Sequence, residues 1–464
     1  MQTKYLNEGL VGNKYLKASF TRKGELLRLL YGSADYKQFI DIFHTGIKVN
    51  DSALIYLHDD INNSYSQEYI ENTNILKTEI YNSYFKVRIT QTDFVPINEN
   101  VLIKKYIIKN ENEIDLNINF LAYSKALTNV NNDTSGYTKN DALIQYNHDY
   151  SVCTFSRKEI YRTQVNGAIN NFHTGIINGK DYIGMSSDSA INYDMNRIVP
   201  GEETTITLFV YVNENSKIDV LRIDDEIGRI KNLDVEALES ETKNYWNNYV
   251  KQHDTLNIND RNVSEKVKAI YNRSILLFEL LINEKTGGIS AGIEVDENKT
   301  KCGRYSYCWP RDAAFITEAF DVVGMREYAD KFYSEFCKMT QYDNGMWEQR
   351  FYTDGNLAPS WGYQIDETAS VVFGAYAHYK TTRDKIFLKE NLEMFEKAIM
   401  FLEKYIDDIL QDINQMGYSY DLWEEFEGYS LYSISAIFAA FKSMIKIYQE
   451  VQDLYNDDNQ KNIY

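Results

Sequence analysis

Apolar and polar residues alternate over several short stretches in the first half of the chain. Examples are Phe85, Val87 and Ile89; Leu116, Ile118 and Phe120; and Ile206, Leu208, Val210 and Val212. Period two puts one face of a strand in a core and the other toward water. Turn-forming clusters such as Asn131-Asn132-Asp133 and Asn178-Gly179 separate the runs, and no helical pattern intervenes. Many short strands in this order predict antiparallel sheets stacked as a large sandwich over residues 1–215.

Near residue 216 the period lengthens. Ile218, Leu221, Ile227, Ile230, Leu238 and Trp246 recur at helical spacing among many charges, which predicts a helical linker over 216–260. From Val263 through Val267, Ile270, Tyr271, Ser274, Phe278 and Leu281 the helical period continues, and it holds through 261–464. The stretches 325–341 and 385–409 are amphipathic. Thr368–Tyr379 and Leu431–Phe441 carry no formal charge. A helix without a charged face is buried on all sides, and an amphipathic one covers it. Outer and inner helices therefore pair as 263–283 with 311–323, 325–341 with 364–380, and 385–409 with 430–452, which is three hairpins of an α/α toroid.

Length and composition add limits. A chain of 464 residues with 44% hydrophobic and 25% charged residues can build several packed domains. Its formal charge of −19 opposes binding to phosphate backbones or anionic lipid. Tyr reaches 38, in step with abundant Asn, Ile and Lys, so most of it reads as base composition; the sharper reading is a surface for sugars or other flat ligands. The start, MQTKYLNEGL, has no apolar core of a secretory signal, and no run of 18 apolar residues occurs. Cys153, Cys302, Cys308 and Cys337 form no CxxC pair, as expected of free thiols in a cytoplasmic protein.

Candidate chemistry lies in the long segments that precede each inner helix, at about 284–310, 342–363 and 410–429. They hold Trp309, Trp347, Trp361 and Trp423, four of the five tryptophans. Long loops rich in aromatics are functional rather than disordered. The first reads Tyr305-Ser306-Tyr307-Cys308-Trp309-Pro310-Arg311-Asp312. The second holds Trp347-Glu348-Gln349-Arg350 and Trp361-Gly362-Tyr363-Gln364-Ile365-Asp366-Glu367, and the third Tyr420-Asp421-Leu422-Trp423-Glu424-Glu425. Rings pack on the C–H faces of a pyranose while charged groups take its hydroxyls. A carboxyl beside apolar rings is desolvated and can stay protonated as a general acid. Taken singly, each tryptophan also fits a core, Arg311-Asp312 a helix-start ion pair, and Asp421 a turn. Six scattered histidines without HExxH or HxH predict no metal site, and Thr286-Gly287-Gly288 lacks the GKS/T of a phosphate loop, so no cofactor is expected.

These residues resemble glycoside hydrolase family 15 in its bacterial glucoamylase and glucodextranase form. YxYxWPRDAA, SWGYQIDETA and YDLWEEFEG occur in order, each before an uncharged helix, and FHTGIKVN at Phe43–Asn50 is similar to the β-domain of those proteins. The resemblance implies a β super-sandwich, a helical linker and an (α/α)6 barrel. It also implies exo-acting, inverting release of glucose from α-glucans. By the same resemblance Glu424 is the general acid and Glu425 binds a hydroxyl near the cleaved bond. Arg311 and Asp312 hold the terminal glucose, and Tyr305 and Trp309 line its subsite. Trp361 packs on substrate and acid, with Asp366 supporting its loop and Asp421 and Trp423 supporting the acid.

Inversion needs a second carboxylate about 6.5–9.5 Å from the acid. In the family this is a late Glu, often after Pro, whereas the last Pro here is Pro359. Three hairpins of six are visible. The expectation is a C-terminally truncated chain with about half the barrel, without its base, and with inner helices exposed at the open edge. Glu425 and Glu427 are nominal substitutes. Two alternatives stay open: a disaccharide phosphorylase, which needs only the acid, and a non-catalytic carbohydrate-binding protein. The residues do not choose among α-1,4, α-1,6 and α,α-1,1 linkages.

Overall fold

The computed structural model describes residues 7–32, 38–126, 135–179, 183–184, 188–214, 220–253, 264–294, 305–360, 362–411 and 419–461. The chain divides into two compact units, the first running to Lys251 and the second beginning at Gln252.

The first unit is an antiparallel β-sandwich. One sheet has five strands in the spatial order Arg162–Val165, Asp188–Ile198, Leu116–Ala126, Ile40–Val49 and Leu54–Tyr56. A second has nine: Ile183–Gly184, Ser135–Lys139, Ala142–Tyr146, Tyr150–Phe155, Glu203–Glu214, Val101–Asn110, Val87–Phe94, Leu76–Asn82 and Asn63–Tyr69, and a small third sheet joins Gly9–Gly12, Leu16–Phe20 and Leu26–Tyr31. Phe43, Ile47 and Phe120 of the five-stranded sheet meet Ile89, Ile108 and Leu208 of the nine-stranded one in a common buried cluster. Ile89, Phe120 and Leu208 are among the residues that alternate in the sequence, so the period-two reading places them in the interior correctly.

The reading of the outer faces as wet needs correction. Phe209 lies between Leu208 and Val210 and is just as buried. It packs with Ile103, Phe155 and Phe94 against Ile223, Ile227 and Ile230. Those last three belong to helix α2 (Val220–Lys231), which follows the short α1 (Ile169–Thr174) and precedes α3 (Val235–His253). The segment expected as a linker thus covers the outer face of the larger sheet. Its helical period was legible, but a period does not say what a helix covers.

The second unit is helical: α4 (Glu265–Leu281), α5 (Pro310–Val322), α6 (Arg326–Lys331), a π-helical turn at Phe332–Cys337 running into α7 (Lys338–Thr340), α8 (Ile365–Thr382), α9 (Lys385–Gln411) and α10 (Leu431–Lys461). Helix α8 packs between α5 and α10 and against α9, and every residue from Ile365 to Val372 is buried. A β-carbon on Gly374 would fall 2.8 Å from that of Ala314, so α5 and α8 can approach this closely only with glycine there. Among the described residues the helices form no closed barrel.

Helix α10 is buried on one side and exposed on the other, the pattern expected of an inner helix at an open edge and not of one enclosed on all sides. Ala436, Ile437, Ala440, Met444 and Ile447 are buried, whereas Leu431, Ile434, Phe438, Ile445 and Tyr448 are exposed. No described element covers that stripe. Over Leu431–Gln452 the helix is long and apolar enough to cross a membrane by length and composition alone, with mean hydropathy 1.2. Cys153, Cys308 and Cys337 are buried free thiols, and Cys302 lies outside the described residues.

Candidate active site

The three aromatic loops of the second unit come together in the structure. Cys308 and Phe351 exchange backbone hydrogen bonds of 2.8 and 2.9 Å, tying the first loop to the second. Tyr420 donates its N–H to the carbonyl of Tyr363 at 2.8 Å, tying the third to the second. A β-carbon on Gly362 would collide with the Tyr420 ring, so glycine is needed at that crossing.

Arg311 is the hub. Trp309 stands extended at the start of α5 and Pro310 opens the helix, which places Arg311 in the first turn, facing inward and only 6% exposed. Its Nη1 lies 2.6 Å from Asp366 Oδ2, 2.9 Å from Glu367 Oε1 and 3.1 Å from Gln364 Oε1. Its Nη2 lies 3.5 Å from Asp312. The backbone N–H of Arg311 donates to Glu367 Oε2 at 2.7 Å. The expected role of Arg311 as a direct clamp on a sugar is therefore qualified, because protein carboxyls occupy one side of the guanidinium. Asp366, expected to support the Trp361 loop, bonds Arg311. Trp361 itself lies outside the described residues.

One guanidinium cannot neutralise three carboxyls. Burial pushes the Glu367 carboxyl well up, against the pull of Arg311. Burial also raises Asp312, again opposed by Arg311.

Glu424 sits on a turn organised by Asp421. The Asp421 carboxylate accepts the N–H groups of Glu425 at 2.8 Å, Phe426 at 3.0 Å and Trp423 at 3.2 Å. Although burial opposes it, this cage of donors holds Asp421 below the usual carboxylate range. The turn keeps Glu424 left-handed at φ 59°, a conformation that costs a non-glycine residue on the order of 1–3 kcal/mol. Gln349 Nε2 donates to Glu424 Oε1 at 2.6 Å, and Ser360 Oγ donates to Gln349 Oε1 at 2.8 Å. Burial raises the half-buried Glu424 carboxyl, offset in part by Arg350, a hydrogen bond from Trp309, and Arg311.

Trp309 and Tyr307 form the aromatic wall, with the Arg350 guanidinium 5.3 and 4.9 Å from their ring centres. Tyr305 is half-exposed, its ring 6.5 Å from that of Trp309. Trp423 is 77% exposed, and Glu425 is also exposed, so neither joins the cluster. Beside it, Glu348, Tyr352, Leu357, Pro359 and Ser360 line an open cavity of about 540 Å³, which reaches the site through Ser360 but includes neither Glu424 nor Arg311.

Sequence reasoning passed over Gln349, Gln364 and Glu367. Gln364 joins two loops, accepting from Arg311 and donating Nε2 to the Asp421 carbonyl at 3.0 Å. The available signal was their position among aromatics in the stretches Trp347–Arg350 and Trp361–Glu367. Among the described residues no cluster of His, Cys, Asp and Glu could hold a metal.

Residues 265–461 match the Glycosyl hydrolases family 15. An uncharacterized glycosyl hydrolase of Methanocaldococcus jannaschii is 28% identical over 444 residues, which cover 94% of this chain and 68% of that protein. A bacterial glucoamylase solved with acarbose superposes with a TM-score of 0.73 at 16% identity, over 97% of this chain and 66% of that one. A human-microbiome protein that carries the name kojibiose phosphorylase gives 0.60 at 10%, over 96% and 63%. At these identities the structural likeness is one of fold. The chain spans about two thirds of the length of these relatives.

Proposed function

We propose that this chain, whose residues 265–461 match the family 15 glycosyl hydrolases, carries the acid half of an active site that removes glucose from the non-reducing ends of α-glucans with inversion. The observation that carries the reading is Glu424. It is a half-buried carboxyl pushed up by burial, with one oxygen held by Gln349, and the half-exposed ring of Tyr305, beside Trp309, offers a face to a pyranose. Glu424 gives its proton to the glycosidic oxygen as the bond to the leaving sugar breaks. Trp309 and Tyr305 line the pocket of the terminal glucose, and Asp312 takes its hydroxyls.

The water-activating base is not assigned to any carboxylate of the cluster. Asp366 and Glu367 are committed to Arg311 and Asp421 to backbone N–H groups. Glu425 and Glu427 are exposed beside the acid on one turn.

The test measures glucose release from maltotriose in phosphate-free buffer, together with maltotriose affinity, for the native chain and Glu424→Gln. Loss of the acid lowers turnover by about 10²–10⁴-fold while binding stays within about twofold. An unchanged rate in the variant moves the acid elsewhere. Glucose 1-phosphate released only in the presence of phosphate reassigns the reaction to a phosphorylase. Binding without turnover in the native chain leaves a carbohydrate-binding protein.

A further inference from the structure

The carboxyl of Glu424 ends a chain of side chains whose other end reaches solvent. Gln349 is fully buried. Its Nε2 lies 2.6 Å from Glu424 Oε1, and its Oε1 lies 2.8 Å from the hydroxyl of the exposed Ser360. Ser360 Oγ has a second acceptor within reach, the Gly362 carbonyl at 3.1 Å. The two arms of the loop hold these groups in register. Phe351 and Leu357 pair across it. Beside Gln349 and Ser360, Arg350 Nε donates to the Pro359 carbonyl at 2.8 Å.

A side-chain amide has an acceptor at one tip and a donor at the other. The direction in which Gln349 lies therefore decides where a proton on Glu424 can sit. With Nε2 toward the carboxyl, Glu424 Oε1 accepts a hydrogen bond and the proton goes to Oε2. With the amide reversed, its carbonyl would draw the proton onto Oε1, and the acid would offer it to Gln349 instead of to a glycosidic oxygen. Trp309 also bonds this carboxyl, but an indole N–H donates in every state and cannot make the distinction.

Ser360 can make it. Its hydroxyl carries one hydrogen. Given to Gln349 Oε1, that hydrogen holds the amide with Nε2 toward Glu424. Given to the Gly362 carbonyl, it would let the amide reverse and donate Nε2 to Ser360 Oγ. The contact with Gln349 is the shorter of the two, 2.8 against 3.1 Å.

We propose that Gln349 and Ser360 are positioning residues for the acid: Ser360 fixes the direction of the Gln349 amide, and the amide confines the Glu424 proton to Oε2. This rests on the reading of Glu424 as the general acid. An acid whose proton stays on one oxygen needs no reorientation before it reacts.

The experiment follows the Glu424 carboxyl of the intact chain by ¹³C NMR through a pH titration, its signal assigned by its loss in Glu424→Gln. The chains compared are native, Ser360→Ala, Ser360→Thr, Gln349→Leu and the double variant Ser360→Ala with Gln349→Leu. Arg350, Arg311 and Asp312, the charged groups that act on this carboxyl, are the same in all of them. Ser360→Ala moves the titration to higher pH, because the reversed amide stabilises the protonated form, and Ser360→Thr, which keeps a hydroxyl, restores the native curve. Gln349→Leu moves it in the same direction. In the double variant Ser360→Ala adds nothing, since the hydroxyl acts only through the amide. With maltotriose, Ser360→Ala lowers kcat by about tenfold while KM stays within about twofold.

A titration unmoved by Ser360→Ala, or moved equally with and without Gln349, overturns the proposal. So does a fall in kcat without a change in the titration, which is what a merely structural serine would give. The two readings fail separately. Coupled titrations with Glu424→Gln at the native rate overturn the acid reading, and the positioning role with it. Uncoupled titrations with Glu424→Gln slowed overturn the positioning role alone.

Discussion

His378 gives the helical unit a measurable dependence on pH. Its ring on α8 is fully enclosed. Nδ1 lies 2.8 and 2.9 Å from the two carboxylate oxygens of Asp321 on α5, and Nε2 lies 2.8 Å from Asp330 on α6. The rings of Tyr333 and Phe387 close the remaining sides. Burial alone would lower the imidazole, but the two carboxylates outweigh it and raise its pKa from the ordinary 6.5 to about 9. The folded value is above the unfolded one, so the folded state holds the proton more tightly. The stabilisation is fully present below about pH 6.5 and is lost as pH rises through about 9. At about 1.4 kcal/mol per pH unit, that interval corresponds to about 3 kcal/mol. The Asp330 carboxylate is 49% exposed, so solvent screens its share, and the expected loss is on the order of 2 kcal/mol.

The perturbation is His378→Gln, which keeps a donor toward Asp321 but cannot carry the charge. Four of the five tryptophans lie beyond Gln252, so urea unfolding followed by tryptophan fluorescence reports the helical unit. Between about pH 6 and pH 9 the native chain should lose on the order of 2 kcal/mol more than the variant, and the gap between them should close. Parallel losses in the two chains would refute the reasoning and place the proton elsewhere.

Two further outcomes follow from the structure. Gln349→Leu removes the donor to Glu424 Oε1. A hydrogen bond to a charged group contributes about 1.5–3 kcal/mol, so the Glu424 proton should be held to higher pH in the variant, read by NMR of ¹³C-labelled glutamate carboxyls; a downward displacement contradicts the hydrogen-bond assignment. The double substitution Phe438→Asp and Ile445→Asp places charge on residues 64% and 58% exposed on α10. It should change stability by no more than about 0.5 kcal/mol at each position while reducing self-association in light scattering, and loss of the cooperative unfolding transition would show that the stripe is covered after all.

The three loops were legible in the sequence because their signals are local. Arg311-Asp312 reads as a helix start, Asp421 reads as a turn residue, and both do that in the structure. What was not legible depends on partners far along the chain. Asp366 and Glu367 open a helix and read as ordinary complements to its dipole; only the fold brings Arg311, more than fifty positions earlier, between them. Gln349 reads as a polar loop residue until the turn at Glu424 is placed beside it. The exposed stripe of α10 was legible only through the count of helix pairs, three of six; its uncharged pattern by itself records a capacity for burial, and burial requires a neighbour.

The choice of Glu424 over its neighbours as proton donor follows from combining two conditions that burial sets against each other. A general acid must hold its proton near neutral pH, which burial promotes, and must also reach a ligand, which burial prevents. Asp421 fails the first condition, because three N–H groups hold it below the usual range. Glu367 meets the first and fails the second, since it is fully enclosed behind Arg311. Asp312 is raised and reachable, but the guanidinium 3.5 Å away favours its ionised form. Glu424 is half-buried and raised, and it is held at one oxygen by Gln349. Of the carboxyls raised by burial at this site, it alone combines access with freedom from a direct ion pair to Arg311.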